Sequence, residues 1–490
     1  MITLLLSAPG LAGMAAFFIR SDSLRRALLV SVAILEAVLC AITWVFPPAA
    51  ALGGWLSEDA VGRLFLSLTS LLFLAASVYA VPYLHEERSR SHSDFEEGFL
   101  FSNAREASFT GCLLLFLAAM SLVALSQHLG LLWIGVEATT LASAPLIYFH
   151  RHHRSLEATW KYLLICSVGI ALALLGVFFL AVSATIPGTA GVSLLLPDLL
   201  SAAPHLSSPW LKAAFVMLLI GYGTKMGLAP LHTWLPDAHS EAPSVASALL
   251  SGALLNCAFL GILRAHQICA ASGLADFSGR LLLVLGLLSM GVAAVFITGQ
   301  TDYKRMLAYS SVEHMGVLAV GVGLGGAGIF GAMLHLVNHS LTKAMLFLVA
   351  GNLLAVYHSK NATQVSGAVK LLPSSGVLWV LGLLAITGSP PFGPFLSEFT
   401  ILKSAVDQGR SLVAVTYLAL LGIILAGMAG PALSMAQGTP PADLVAPARR
   451  GVALSAVPAV LGAAVLMMGI YVPPVLSRTL HEAAHMLVRG

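Results

Sequence analysis

Charged side chains are scarce in this sequence. Asp, Glu, Lys and Arg make up 10% of 490 residues, against about 25% in ordinary soluble chains. With 58% hydrophobic residues and a mean hydropathy of +0.90, that shortage excludes a water-soluble globular protein. Cysteine is scarce as well. Cys40, Cys112, Cys166, Cys257 and Cys269 are scattered through apolar segments without a CxxC pair. Such spacing gives no iron–sulfur framework, zinc site or disulfide scaffold within the chain. A net charge of +3 leaves no basic surface suited to nucleic acid. No long polar stretch exists to build a soluble catalytic domain, so redox or hydrolytic chemistry would need a partner chain. The first residues, MITLLLSAPGLAGMAAFFIR, have no basic region before the apolar run and no cleavage site. They read as a first membrane helix and not as a removable signal peptide.

What the sequence has instead is apolar runs. Crossing a bilayer takes roughly 20 apolar residues. Fourteen such segments are expected, near 2–20, 26–46, 60–83, 107–126, 129–149, 158–184, 209–229, 243–268, 280–299, 306–325, 327–357, 373–407, 411–436 and 451–477. The loops after odd-numbered segments, with the adjoining helix ends, hold fifteen Lys and Arg residues, among them Arg88, Arg90, Arg449 and Arg450. The opposite side holds seven, and Lys225, Lys343 and Lys403 fall inside segments. The positive-inside rule then puts the odd loops in the cytoplasm of a bacterial or archaeal cell and both termini outside.

Two segments are interrupted. One carries GYGTKMGLAPLHTWLPDAHSEAPS at 221–244 and the other AITGSPPFGPFLSEF at 385–399. Proline removes a backbone donor and breaks the turn. Non-helical backbone at membrane depth survives only against protein or a water-filled cavity. Interruptions at matching places in two halves are the pattern of inverted-repeat transporters. The expected fold is therefore an all-α polytopic membrane protein with about fourteen spans and two inverted five-helix repeats, helices 4–8 and 9–13, in which helices 7 and 12 are discontinuous. Its units would be 1–106, 107–268, 280–436 and 451–490.

Ionisable residues within such segments are costly, at least about 2.5–3.5 kcal/mol each near the bilayer centre, and so need a reason. Glu137 lies mid-helix in LLWIGVEATTLAS, Lys225 precedes the first break and Glu398 follows the second. His335, His339 and Lys343 recur every four residues, on one helical face. Acids, bases and imidazoles strung through a bundle are the material of a proton relay. A Glu137–Lys225 ion pair would keep the lysine charged, and separating the two would release its proton. Purely structural roles stand beside this reading: a buried ion pair for Glu137 and Lys225, a helix-bridging hydrogen bond for His339, support of the broken helix for Glu398. Glu36 reads as structural, and Glu157 with Lys161 as an interfacial ion pair. Haem ligation by His335 and His339 fails because one helical face cannot present both to a single iron.

Taken together, WIGVEATTLASA, TKMGLAPLHTWLPDAHSEAPS, DYKRMLAYSSVEHMG, HLVNHSLTKAMLFL and PPFGPFLSEF resemble the antiporter-like membrane subunits of complex I, Mrp antiporters and group 4 membrane-bound hydrogenases. VEATTLAS and WKYLLICSVGIALALLG are most similar to the hydrogenase-4 component F type. The resemblance implies fourteen helices, two inverted repeats and proton or sodium movement along a central hydrophilic axis. It places Glu137, Lys225, His335, His339, Lys343 and Glu398 on that axis, with His232 and His314 flanking it. It also implies a complex with other membrane subunits and peripheral redox subunits, in which partners carry iron–sulfur clusters and, in a hydrogenase, a nickel–iron site. No cofactor or metal is expected in this chain. One departure is Asn256, which stands where respiratory relatives often carry a lysine or histidine and which cannot titrate. The sequence leaves open three functions: a proton-translocating subunit of a redox-driven complex, a sodium/proton antiporter subunit of Mrp type, or a membrane anchor with a vestigial relay.

Overall fold

The computed structural model describes residues 1–87, 92–93, 98–185, 193–442, 444 and 451–489. Arg88, Arg90, Arg449 and Arg450, used above to assign sidedness, lie outside the described residues. The chain begins with α1 (Ile2–Ala16), α2 (Asp22–Thr43) and α3 (Ala60–Glu86), followed by a two-stranded antiparallel pair, β1 (His92–Ser93) with β2 (Leu100–Phe101). Next come α4 (Glu106–Leu125), α5 (Leu129–Ile147), α6 (His153–Thr185), the short α7 (Leu196–Ala202), α8 (Ser208–Met226), α9 (Trp234–Glu241), α10 (Ser244–Leu249) and α11 (Leu255–Ala271). The second half has α12 (Ala275–Ile297), α13 (Tyr303–Leu324), α14 (Ala327–Tyr357), α15 (Ala368–Leu371), α16 (Pro373–Ile386), α17 (Gly393–Asp407) and α18 (Ser411–Ala436). α19 (Val452–Ile470) and α20 (Pro474–Arg489) complete it.

Among the described residues, eleven helices are long and apolar enough to cross a membrane, counting α10 and α11 as one, and α1 and α16 are apolar but shorter. The expected fourteen segments exceed this count where a segment is broken or short. α8 carries Lys212 and Lys225, and α16 stops after 14 residues.

Both expected breaks are present and end their first half in the same way. α8 stops at Gly227 (φ +86°), with the Leu228 amide donating to the Gly223 carbonyl at 2.8 Å. α16 stops before Gly388 (φ +65°), with the Ser389 amide donating to the Leu384 carbonyl at 2.9 Å. This is the helix-ending loop that a left-handed glycine permits. A cis proline follows three residues after each glycine, at Pro230 and Pro391. Trp234 Nε1 donates at 2.8 Å to the Thr224 carbonyl and satisfies an orphaned group at the end of α8.

Small residues let the helices approach closely. A Cβ on Gly221 would lie 2.6 Å from the Gly169 carbonyl oxygen, joining α8 to α6, and one on Gly316 2.6 Å from that of Gly286, joining α13 to α12. Between α10 and α11 the chain makes a π turn at Leu250–Leu254, an irregularity often found beside functional groups. α20 is amphipathic. It buries Leu480, Ala483 and Leu487 and exposes His481 and Glu482, lying against α3, α11 and α14.

Candidate functional site: a buried file of titratable groups

The file begins on α5. Glu137 is half-buried, and its carboxylate accepts from Thr140 Oγ1 at 3.3 Å and from Ser167 Oγ, on an exposed part of α6, at 3.4 Å. Lys225 is fully buried at the end of α8. Its ammonium donates to Thr140 Oγ1 at 2.7 Å and to the Tyr162 hydroxyl at 2.5 Å, and lies 4.4 Å from the Tyr162 ring centroid. The expected ion pair is therefore not formed. Thr140 separates the two charges, accepting from one and donating to the other. Ser143 steadies Tyr162 through a hydroxyl contact of 2.6 Å.

α11 packs against α8. Asn256 Nδ2 donates to the Gly252 carbonyl at 2.7 Å and across to Ser340 Oγ on α14 at 2.8 Å. The carbonyl at 252 lies in the π turn, and Ser251 in that turn sits 2.8 Å from Ser311 of α13. Asn256 thus ties the two halves of the molecule together at the place where a titratable side chain is missing.

The second half gathers around α14. His335 Nε2 lies 2.9 Å from His314 Nδ1, and His335 Nδ1 lies 2.9 Å from Ser397 Oγ on α17. The His339 ring is centred 5.1 Å from that of His314, and neither of its nitrogens has a hydrogen-bond partner. Lys343 donates to the Leu307 carbonyl at 2.7 Å and to Ser310 Oγ. The face shared by His335, His339 and Lys343 is turned toward α13. Glu398 approaches His314 Nδ1 to 4.0 Å and rests against Gly388, where a Cβ would come within 2.0 Å of its Oε2. The glycine in the second break is thus needed both for its backbone and for the carboxyl beside it.

Among the described residues, ligand atoms of His314, His335 and Glu398 lie within 4.8 Å of one another, a grouping that could hold a metal ion. His314, expected from the sequence to flank the axis, sits at the centre. His232 stands apart from the file. Its ring packs near Phe296 and Tyr309, with centroids 6.5 and 6.3 Å away.

Sequence reading missed three buried groups. Tyr162 holds Lys225. Glu313, on α13, approaches His314 Nε2 to 4.0 Å. His239, at the end of α9, donates from Nδ1 to the Leu235 carbonyl at 2.9 Å and leaves Nε2 without a partner. His239 and Glu313 stand within two of the family-like motifs, but their facing depends on helix rotation, which hydropathy does not carry.

A cavity of about 250 Å³ adjoins each end of the membrane-spanning bundle. One is lined by Tyr79, His152, Glu241, Lys304, Asn352 and Lys360, at the C-terminal end of α14. The other, of about 260 Å³, is lined by His266, Asp276, Arg280, Ile329 and Arg410, at its N-terminal end.

Discontinuous helices around a buried file of titratable groups define a multi-pass membrane protein of the antiporter-like kind. The family model for "NADH:quinone oxidoreductase/Mrp antiporter, TM" matches residues 126–424, and the chain belongs to that family. It is 37% identical to the hydrogenase-4 component F homolog of Methylacidiphilum infernorum over 365 residues, 74% of this chain and 75% of the relative. In fold it is similar to a chain of the membrane-bound sulfane sulfur reductase, an archaeal respiratory membrane complex (TM-score 0.87, 19% identity, 99% of this chain and 97% of that one). A chain of the Mrp complex from a Dietzia species is similar too (TM-score 0.85, 21% identity, 99% and 97% covered).

Proposed function

We propose that this chain moves protons through the membrane as an antiporter-like subunit of a redox-driven complex of the hydrogenase-4 or complex I kind. It carries no redox centre of its own; partner subunits supply iron–sulfur clusters and, in a hydrogenase, a nickel–iron site. The observation that carries this reading is the file itself. Glu137, Thr140, Lys225, Asn256, Ser340, His339, His314, His335 and Glu398 follow one another across both halves at membrane depth. Buried imidazole nitrogens and carboxylate oxygens without protein partners, on His314, His339, Glu313 and Glu398, are groups that water satisfies. A proton can pass between them, with Asn256 orienting a water where no side chain titrates.

The similar helix endings at Gly227 and Gly388 support two inverted units, 107–268 and 280–436, flanked by 1–106 and 451–490. The cavity beside Lys304 serves as the cytoplasmic mouth and the one beside His266 as the outer mouth, in a bacterial or archaeal inner membrane with both termini outside. Half-exposed Glu137 brings the file to the lateral surface, where a neighbouring membrane subunit would cover it.

Sodium transport of the Mrp type is the weaker reading, because hard cations want several oxygen ligands and the centre of the second half is a cluster of imidazoles, His314, His335 and His339. The Thr140 and Ser397 hydroxyls are already engaged by Lys225 and His335. The test is affinity purification from native membranes in mild detergent, followed by reconstitution. Co-purifying iron–sulfur and hydrogenase-like chains, with acidification abolished by a protonophore, are the expected result. A partner set of small membrane subunits only, with sodium-dependent exchange, would sink the reading. A chain that assembles normally and transports nothing would indicate an anchor.

A further inference from the structure

Glu36 lies outside the file described above. It sits in the middle of α2, 1% exposed. Its Oε1 accepts from Ser121 Oγ of α4 at 2.8 Å, and its Oε2 has no partner. No cation lies within ion-pair distance of it among the described residues. An ionised carboxylate is expensive in such a place.

The surroundings are not those of an isolated polar residue. Cys40 lies one turn along α2 from Glu36, and Thr43 and Trp44 a further turn. Arg63, Ser67, Ser70 and Ser77 fall on one face of α3, at helical spacing. The two faces meet. Cys40 Sγ lies 3.4 Å from Ser67 Oγ, and Trp44 Nε1 donates to the same hydroxyl at 2.8 Å. Thr43 Oγ1 lies 2.9 Å from Glu58 Oε1, and Arg63 Nε donates to that oxygen at 2.7 Å. Buried Ser70 Oγ, Ser77 Oγ and Glu58 Oε2 have no partner. The charges facing this groove are Glu58 and Arg63, paired with each other.

We propose that Glu36 is a second proton-binding carboxyl, in exchange with the end of the bundle that holds Glu58 and Arg63 through the hydroxyl and thiol groups between α2 and α3. Past Glu36, toward the start of α2, that helix meets α4 through the Arg26–Glu106 ion pair, at 2.7 Å. This inference rests on none of the preceding functional reading.

The test is infrared spectroscopy of the purified complex, comparing wild type with E36Q in light and heavy water. The carbonyl band of one protonated carboxyl is expected to vanish in E36Q and, in the wild type, to shift on transfer to heavy water. In the T43V/S67A double variant that shift slows roughly tenfold, about the effect of one lost hydrogen bond. Where E36Q fails to assemble, E36D carries the same band at a displaced position. Loss of no acid band in E36Q, or exchange as fast in T43V/S67A as in the wild type, would overturn the proposal.

Discussion

The ammonium of Lys225 and the carboxylate of Glu137 do not touch. Thr140 stands between them, 2.7 Å from the one and 3.3 Å from the other. A single hydroxyl thus decides whether the two charges communicate, and it can relay a proton or hold them apart.

Replacing Thr140 with Val removes this link while keeping the volume. A hydrogen bond to a charged group is worth about 1.5–3 kcal/mol, so the rate of proton transfer through this subunit should fall by roughly 10- to 100-fold. T140S should restore most of it. Uptake in proteoliposomes, with assembly checked by subunit composition, reads the difference; a T140V complex that pumps at the normal rate contradicts the relay.

Gly388 cannot accept a side chain. Its φ is +65°, and a Cβ would lie 2.0 Å from Glu398 Oε2. G388A should lower the thermal midpoint, with about 1–3 kcal/mol from backbone strain alone, and should impair transport by displacing Glu398. G291A, which meets nothing within 4 Å, is the comparison and should be close to neutral. Equal melting of the two variants would show that the second break tolerates rearrangement.

Asp59 caps α3, with Oδ1 accepting from the Gly62 amide at 2.7 Å, and pairs with Arg264 of α11 at 2.7 Å. Burial by itself pushes the Asp59 carboxyl up, but the attraction and hydrogen bonds of Arg264, with the Gly62 amide, outweigh it and hold the carboxyl below the usual range. A carboxyl depressed in the folded state contributes stability that is present above its unfolded value and lost as pH falls through the folded one. That window lies below about pH 4. Wild type should lose stability there, and D59N should be destabilised at neutral pH with a flatter acid limb. Parallel acid limbs in thermal melts would remove Asp59 from the account.

Lys403 falls inside an expected span, yet its side chain is 62% exposed and pairs with Asp407, itself 56% exposed. Exposed i,i+4 pairs contribute about 0.3–0.5 kcal/mol. K403A should leave both stability and transport unchanged within error. A transport defect as large as that of K225A would mean that the file extends along α17.

These residues show how far sequence could lead. Gly, Pro and nearby ionisable groups marked both breaks, because a proline within an apolar run removes a backbone donor and cannot sit in an unbroken helix without cost. The four-residue spacing of His335, His339 and Lys343 fixed their common face. Thr140 between Glu137 and Lys225, the central place of His314 and the inward turn of His239 and Glu313 depend on how helices rotate and cross. An apolar helix carries no record of that rotation, since every face of it is hydrophobic. α20 escaped for the opposite reason: its apolar stripe is confined to positions such as Leu480, Ala483 and Leu487, within a segment too polar to register as a span.

The most direct test of the proton file is the number of protons moved per electron pair by the reconstituted complex with K225A in place of the wild-type chain. The account predicts a fully assembled complex whose redox reaction continues while this subunit's share of the protons disappears. An unchanged ratio in an intact K225A complex would contradict it.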